Sequence, residues 1–458
     1  MRNTFKKYTI FNILGVLLAS LIIISCGEFL EVEPKESVDE SVAITDKKSL
    51  ETAVRGLYRS VGSNSYYGDG FVALGFVPSG DVEFNVNDNL SNFSFRADAS
   101  EFVSVWASIY NSINIANHIL LAAPSLEDVN LTTADRNKAI GEAHFVRALA
   151  YFDLARGWGG VPIKTRPTVN IKNEEKLKRS TREETYDFVL NELDEAEKLL
   201  TENVNRVRAT KYTVWALKAR LYLYKQNWIK AEEYSTKVIN LANAFKLTEN
   251  FSGWFKNNVV QTQESILEIA YSAQNQNSLR ARMSLLARGG SYRFRPADKV
   301  IETLRNPVTG GRRVDLLDSA VQSGVKQYAG ALYYRSPATD PSYVLRLAEQ
   351  YLIRAEARAQ NNLLNDAVDD INEIRKRVNL ITIDKNKTKQ ELLTIILEER
   401  RLEFLWEAHR YFDLTRTGKL QEQIKRLKPN IDIKPHYILF PIPINEVELG
   451  KLDQNQDY

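Results

Sequence analysis

Two stretches, residues 209–243 and 343–378, repeat one pattern: small and aromatic side chains at helical spacing, a tight polar turn, then a second helix of the same kind. In the first, Ala216, Ala219, Leu223 and Tyr224 precede Gln226-Asn227, and Trp228, Ala231 and Tyr234 follow. In the second, Ala348, Tyr351, Leu352, Ala355 and Ala359 are followed by Asn365, Ala367 and Ile371. Alanines let two helices approach closely, and aromatics fill the groove between neighbouring pairs. A chain built this way must stack helical hairpins, because one hairpin alone leaves an apolar face bare.

Residues 135–156 carry the same signal in Ala143, Ala148, Tyr151 and Phe152, closed by the stop Gly157-Trp158-Gly159-Gly160-Val161-Pro162. Further helices are expected at 47–61, at 106–123 and at 181–200, where Ser180 or Thr181 caps and Glu184 stands behind the cap. One long helix is expected over 389–416 and an extended tail over 434–444. Two segments break the periodicity, 62–100 and 245–340, with short strands expected at 264–271 and 328–335. The fold class is therefore mostly α: about four interrupted tetratricopeptide-like helical hairpins, with large irregular loop insertions and a few short strands.

Composition narrows the function. The formal net charge is +3, and Arg2, Lys6 and Lys7 supply as many positives in the first seven residues. The remainder is balanced, which argues against nucleic-acid binding. The four histidines (His118, His144, His409 and His436) are far apart, and there is one cysteine. Neither a metal site nor a cofactor is expected. That cysteine, Cys26, follows the apolar run 10–24 and Ser25. The pattern reads as a signal peptide over 1–25, a lipidation site at Cys26 and an acidic tether over 26–45. The folded part, 46–458, is read as one domain.

Four segments together resemble the SusD/RagB family of Bacteroidota outer-membrane nutrient-uptake lipoproteins. The first is Cys26 followed by Phe29-Leu30 and Pro34. The second is Trp106, Tyr110, Ile113 and Asn117, then Arg147-Ala148, Tyr151-Phe152 and Trp158-Gly159-Gly160-Val161-Pro162. The third runs from Arg346 to Ala357, with Asn372 and Arg375 downstream. The fourth is Glu399-Arg400-Arg401, Glu403-Phe404, Glu407, Arg410, Asp413-Leu414 and Arg416, then Pro441-Ile442-Pro443. The resemblance implies four tetratricopeptide-like units and a cell-surface lipoprotein anchored by palmitate-type lipid in the outer membrane. It also implies a SusC-like TonB-dependent transporter as partner, a glycan or peptide ligand, and no catalysis.

The residues themselves leave three readings open: a ligand-delivering surface protein, a lipid-anchored hydrolase, or a scaffold without a small ligand. A glycosidase needs two carboxylates about 5–10 Å apart; the loops offer Asp69, Asp81 and Glu83. Glu398, Glu399, Glu403 and Glu407 share a segment with Arg400, Arg401 and Arg410, a spacing that suits ion pairs better than catalysis. Sugars stack on exposed rings, so the expected ligand-binding residues are the loop aromatics Tyr66, Tyr67, Phe84, Trp254, Tyr292 and Phe294. Asp81, Asn85, Arg293 and Arg295 are their expected polar partners. Alternation in Tyr292-Arg293-Phe294-Arg295 predicts rings on one strand face and guanidiniums on the other. The two insertions are expected to converge with the rings at least partly exposed. Asp318-Ser319-Ala320 also matches a short bacterial O-glycosylation pattern.

Overall fold

The structure is a computed structural model that describes residues 44–84, 88–168 and 177–458. The expected signal peptide, Cys26, nearly all of the tether and Asn85 lie outside the described residues. Helix α1 (Lys47–Val61) opens with a capping box between Asp46 and Ser49. Its buried residues Leu50, Val54, Leu57 and Val61 recur every three or four positions, and the helix packs against the one over residues 100–122. The first insertion folds as a short helix α2 (Gly70–Phe76) and strand β1 (Val82–Phe84). Helices α3 (Ser100–Ala122) and α4 (Thr133–Trp158) follow. The α4 stop is real: Gly159 takes φ +82, and the buried Trp158 donates its indole N–H to Pro441 O at 3.0 Å. Helix α5 (Arg182–Leu199) starts at the expected Thr181–Glu184 capping box.

The hairpins form as the alanine pattern requires. Helices α6 (Lys211–Tyr224) and α7 (Trp228–Ile239) pack together around Ala219, Leu223 and Ala231. After the second insertion, α10 (Leu347–Gln360) and α11 (Leu364–Arg377) pack around Ala355, Ala359, Ala367 and Ile371. Ile353 and Ala357 of α10 join the α6–α7 cluster, so the two hairpins share one core. Helix α12 (Lys389–Glu403) adds Leu392 and Ile396 to the α10–α11 layer. The fold is mostly helical, with 53% helix against 7% strand.

Between the hairpins lie β2 (Ser265–Ile269), α8 (Leu279–Met283), β3 (Phe294–Pro296), α9 (Asp298–Arg305), β4 (Leu317–Gln322), β5 (Val325–Gly330) and β6 (Ser342–Arg346). The strands make three antiparallel pairs: β1 with β3, β2 with β6, and β4 with β5. The first pair, in which Phe84 faces Phe294 and Glu83 faces Arg295, joins the two insertions. The Asp318-Ser319-Ala320 triplet lies on β4.

The expected helix over 389–416 is broken. It ends at Glu403 and resumes only as α13 (Arg410–Arg416), followed by α14 (Leu420–Leu427). In a continuous helix the Glu403 carbonyl would accept from the Glu407 amide. Here Arg346 Nη2 donates to that carbonyl at 3.0 Å, and Glu407 N turns to Phe404 O. Trp406 takes φ +74 at the break. The tail over 434–444, expected to be extended, contains a 3-10 turn at Pro435–Ile438, and a short helix α15 (Ile444–Glu448) follows it.

Ala219 and Ala355 have no exposed surface. Replacing either with Leu is expected to overpack a hairpin and cost roughly 1–3 kcal/mol. Calorimetric unfolding checks this; wild-type stability in both variants would contradict the packing.

Candidate functional site

The residues expected to hold ligand divide sharply. Tyr66, Tyr67, Trp254 and Phe294 are 2% exposed or less, and Tyr292 only 6%. The exposed aromatic platform expected from these five rings is therefore not formed. Each ring has a structural task. Tyr66 donates its hydroxyl to Asp153 at 2.7 Å, and both tyrosines pack on Phe71. Trp254 lies with its ring 3.9 Å from the Arg346 guanidinium, a cation–π contact over a buried charge. Tyr292 donates to Tyr328 O at 2.9 Å, and Phe294 fills the space between Phe76 and Phe84. Asp81 is buried too: it pairs with Arg401 at 2.8 Å and Arg410 at 3.3 Å. It fastens β1 to the helical layer and does not face solvent. The insertions lie on the helical core and their rings fill it: Phe71 stacks on Phe412 of α13, and Phe76 meets Trp406 edge-on.

Three of the expected residues do reach the surface: Phe84 and Arg295 are half-buried and Arg293 is exposed. The expected alternation holds: Tyr292 and Phe294 point inward, while Arg293 and Arg295 point out. The convergence of the insertions also holds, through β1 and β3. Around that joint lie Asp69, weighed above only as a loop acid, and Arg282, which the sequence reading did not single out. Asp69, at the start of α2, is 4% exposed and pairs through Oδ2 with Arg282 of α8 at 2.8 Å. Its Oδ1 has no hydrogen-bond partner. Burial pushes Asp69 up to about 6, while Arg282 and Arg293 pull it back. Arg293 lies 5.9 Å over the Phe84 ring, and Arg295 pairs with Glu83. The signal for this face was in the sequence: arginines at 280, 282, 288, 293 and 295 within one insertion.

A concavity of about 950 Å³ lies elsewhere, between α10, α12, α13 and α14. Trp228, Gln390, Glu398, Arg401, Arg410 and Gln423 are among its lining. Its carboxylates are engaged: Glu356 holds Arg416 at 2.6 Å, and Glu398 holds Arg401 at 2.6 Å. The loop acids Asp69, Asp81 and Glu83 are likewise each paired with arginine. Neither place offers the two uncommitted carboxylates a glycosidase requires. Among the described residues no group of three His, Cys, Asp or Glu side chains could hold a metal ion. No described helix is long and apolar enough to cross a membrane.

Behind both surfaces lies a buried ion-pair network. Arg346 bonds Glu264 and Glu407, each at 2.7 Å, and Glu403 at 3.3 Å. Arg377 bridges Glu264 and Glu403, and Arg313 joins Glu399 and Glu403. The glutamates that tempted a catalytic reading are thus structural. Burial raises Glu407 to about 7 against the pull of Arg346, whereas Arg377, Arg313 and Arg346 hold Glu403 below the ordinary carboxylate range despite burial.

Comparison with known proteins follows from this geometry. The protein-family model described as "Starch-binding associating with outer membrane" matches residues 28–223, and the model of the SusD family matches residues 321–458. The SusD-like protein P38 of Formosa agariphila is 26% identical across 99% of this chain and 100% of its own length. The starch-binding protein SusD of Bacteroides thetaiotaomicron is 27% identical across 72% of this chain and 74% of its own. A SusD-superfamily crystal structure from Bacteroides vulgatus superposes with a TM-score of 0.79 at 18% identity, covering 90% of this chain and 99% of the other. A laminarin-binding SusD-like protein superposes with 0.74 at 20% identity, covering 91% and 100%.

The network makes two predictions. Glu403→Gln takes one of two carboxylates from each of Arg377 and Arg313 in the core and should cost about 3–5 kcal/mol. Glu407→Gln should be milder and pH-dependent. A folded-state value raised above the unfolded one gives stability that is full at low pH and lost as pH rises through about 7. Wild type should therefore lose ~1–3 kcal/mol relative to Glu407→Gln between pH 5 and 8. Thermal unfolding across that range checks both; a pH-independent difference would contradict the second.

Proposed function

The chain belongs to the SusD family, and on that premise we propose that it is a cell-surface lipoprotein that binds an oligosaccharide and hands it to a SusC-like TonB-dependent outer-membrane transporter. SusD-family proteins are binding proteins rather than enzymes, and the family is outer-membrane-associated. Carbohydrate binding is supported by the starch-binding and laminarin-binding relatives. The observation that carries the reading to a place on this chain is the β1–β3 pairing. It joins the two insertions and leaves Phe84 and Arg293 at the surface between them. An open face of this kind suits a ligand that must bind and then leave. Phe84 offers a ring, and Arg293 offers hydrogen-bond donors for sugar oxygens.

In this reading the protein is not an enzyme. The pairing of every loop and cleft carboxylate named above with an arginine supports that. Cys26 carries the lipid, residues 1–25 are removed and 26–45 tether the folded part; several acyl chains give stable anchoring. Cys26→Ala should release the protein from membranes. Mass spectrometry of the mature N-terminus checks this, and an unmodified Cys26 would contradict it.

Binding is tested by calorimetric titration with maltoheptaose, laminari-oligosaccharide and an oligopeptide mixture. Phe84→Ala should weaken oligosaccharide binding by roughly 1–2 kcal/mol, and Gln390→Ala in the helical cleft should leave it unchanged. Loss on Gln390→Ala alone would move the site to the cleft. Binding of peptides alone would replace glycan by oligopeptide.

A further inference from the structure

The face between the insertions is an arginine surface with too little acid to balance it. Arg280, Arg282, Arg293 and Arg295 lie within sixteen residues of one insertion. Facing them are three carboxylates: Asp69, Glu83 and, acting on Arg295 through space, Asp298. Arg288, farther along, is paired with Asp318 at 3.3 Å. The chain beyond its first seven residues is charge-balanced, so this local excess is a property of the face and not of the composition.

The way the charges are held also matters. Glu83 is used by Arg295. Asp69 is left to serve both Arg282 and Arg293, and it is in ion-pair contact only with the first. Among the described residues, no hydrogen bond reaches the Arg293 guanidinium or the terminal nitrogens of Arg282. Both guanidiniums are held over rings, Arg282 at 5.5 Å from Phe294 and Arg293 at 5.9 Å from Phe84. Each guanidinium is within cation–π distance of its ring and keeps nitrogen donors that no described residue uses. Asp69, nine-tenths buried with Oδ1 unpartnered, lowers the repulsion between the two cations and leaves those donors uncommitted. Two guanidiniums beside one shared carboxylate make a receptor for an oxyanion.

Resting on the reading that this face binds oligosaccharide, we infer that the ligand is an anionic oligosaccharide, with a ring carboxylate or sulfate ester held by Arg282 and Arg293 while a sugar face lies on Phe84. Neutral sugars would leave the two guanidinium edges without a charged partner. A carboxylate and a sulfate share the chemistry that the forks recognise, and the test below separates them.

The full mature chain is titrated with three probes: an oligogalacturonate, a sulfated galactan oligosaccharide and a neutral laminari-oligosaccharide. One or both charged probes should bind more tightly than the neutral one, with affinity falling as sodium chloride rises from about 0.05 to 0.5 M. The tighter charged probe identifies the group. Arg293→Gln, at an exposed position, should weaken that probe at least about tenfold. Asp69→Asn, which removes the competing carboxylate while keeping its shape, should tighten it about threefold or more. Neutral laminari-oligosaccharide bound as tightly as the charged probes, with Arg293→Gln without effect, would overturn the inference and leave glycan binding standing. No binding of any oligosaccharide would overturn the glycan reading on which the inference rests.

Discussion

The buried guanidinium of Arg346 is where the separate parts of this chain meet. It is 2% exposed and stands at the junction of β6 and α10. Glu264 from the segment before β2, Glu403 at the end of α12 and Glu407 beyond it all converge on it. Burying a charge is affordable only when pairing and hydrogen bonds are complete, and here three carboxylates and the Glu403 carbonyl complete it. The arrangement specifies the fold as much as it stabilises it. A chain in which α12 ran straight on, or in which the insertion missed its register on β6, would leave a charge stranded in the core.

The same logic extends outward from that point. Arg377 and Arg313 bind α11 and the segment before β4 to Glu264, Glu399 and Glu403. Asp81 ties β1 to Arg401 and Arg410. Trp254 covers Arg346 itself, which is why a tryptophan in a loop-rich segment is buried. With its anchors buried, the converged loop face is tied to the helical layer through Asp81. A face held in that way has less to order on capturing a ligand.

The sequence was most legible where geometry is periodic and local. Alanine spacing located α6, α7, α10 and α11, and the capping residues located the start of α5. The alternation at Tyr292–Arg295 separated rings from guanidiniums, although the rings, expected to be partly exposed, are the side that points inward. It was least legible where the outcome depends on partners far along the chain. Nothing near Glu403 announces that Arg346 will take its carbonyl and end the helix. Nothing near Tyr66 announces Asp153, and nothing near Trp254 announces Arg346. Loop aromatics were read as surface because their segments are irregular, but an irregular backbone buries rings as readily as a helix does when a core lies beneath it. The arginine density at 280–295 was visible and was passed over, because a charge run is ordinarily a solvated face. Only the shared, buried Asp69 distinguishes it.

The central claim is that ligand binds where the insertions meet and not in the helical cleft. Hydrogen–deuterium exchange of the mature chain, with and without a saturating oligosaccharide, addresses it without altering any residue. The account predicts slowed exchange in residues 64–70 and 279–295 and unchanged exchange in residues 390–426. Protection confined to residues 390–426, with the converged loops exchanging as in the free protein, would contradict it.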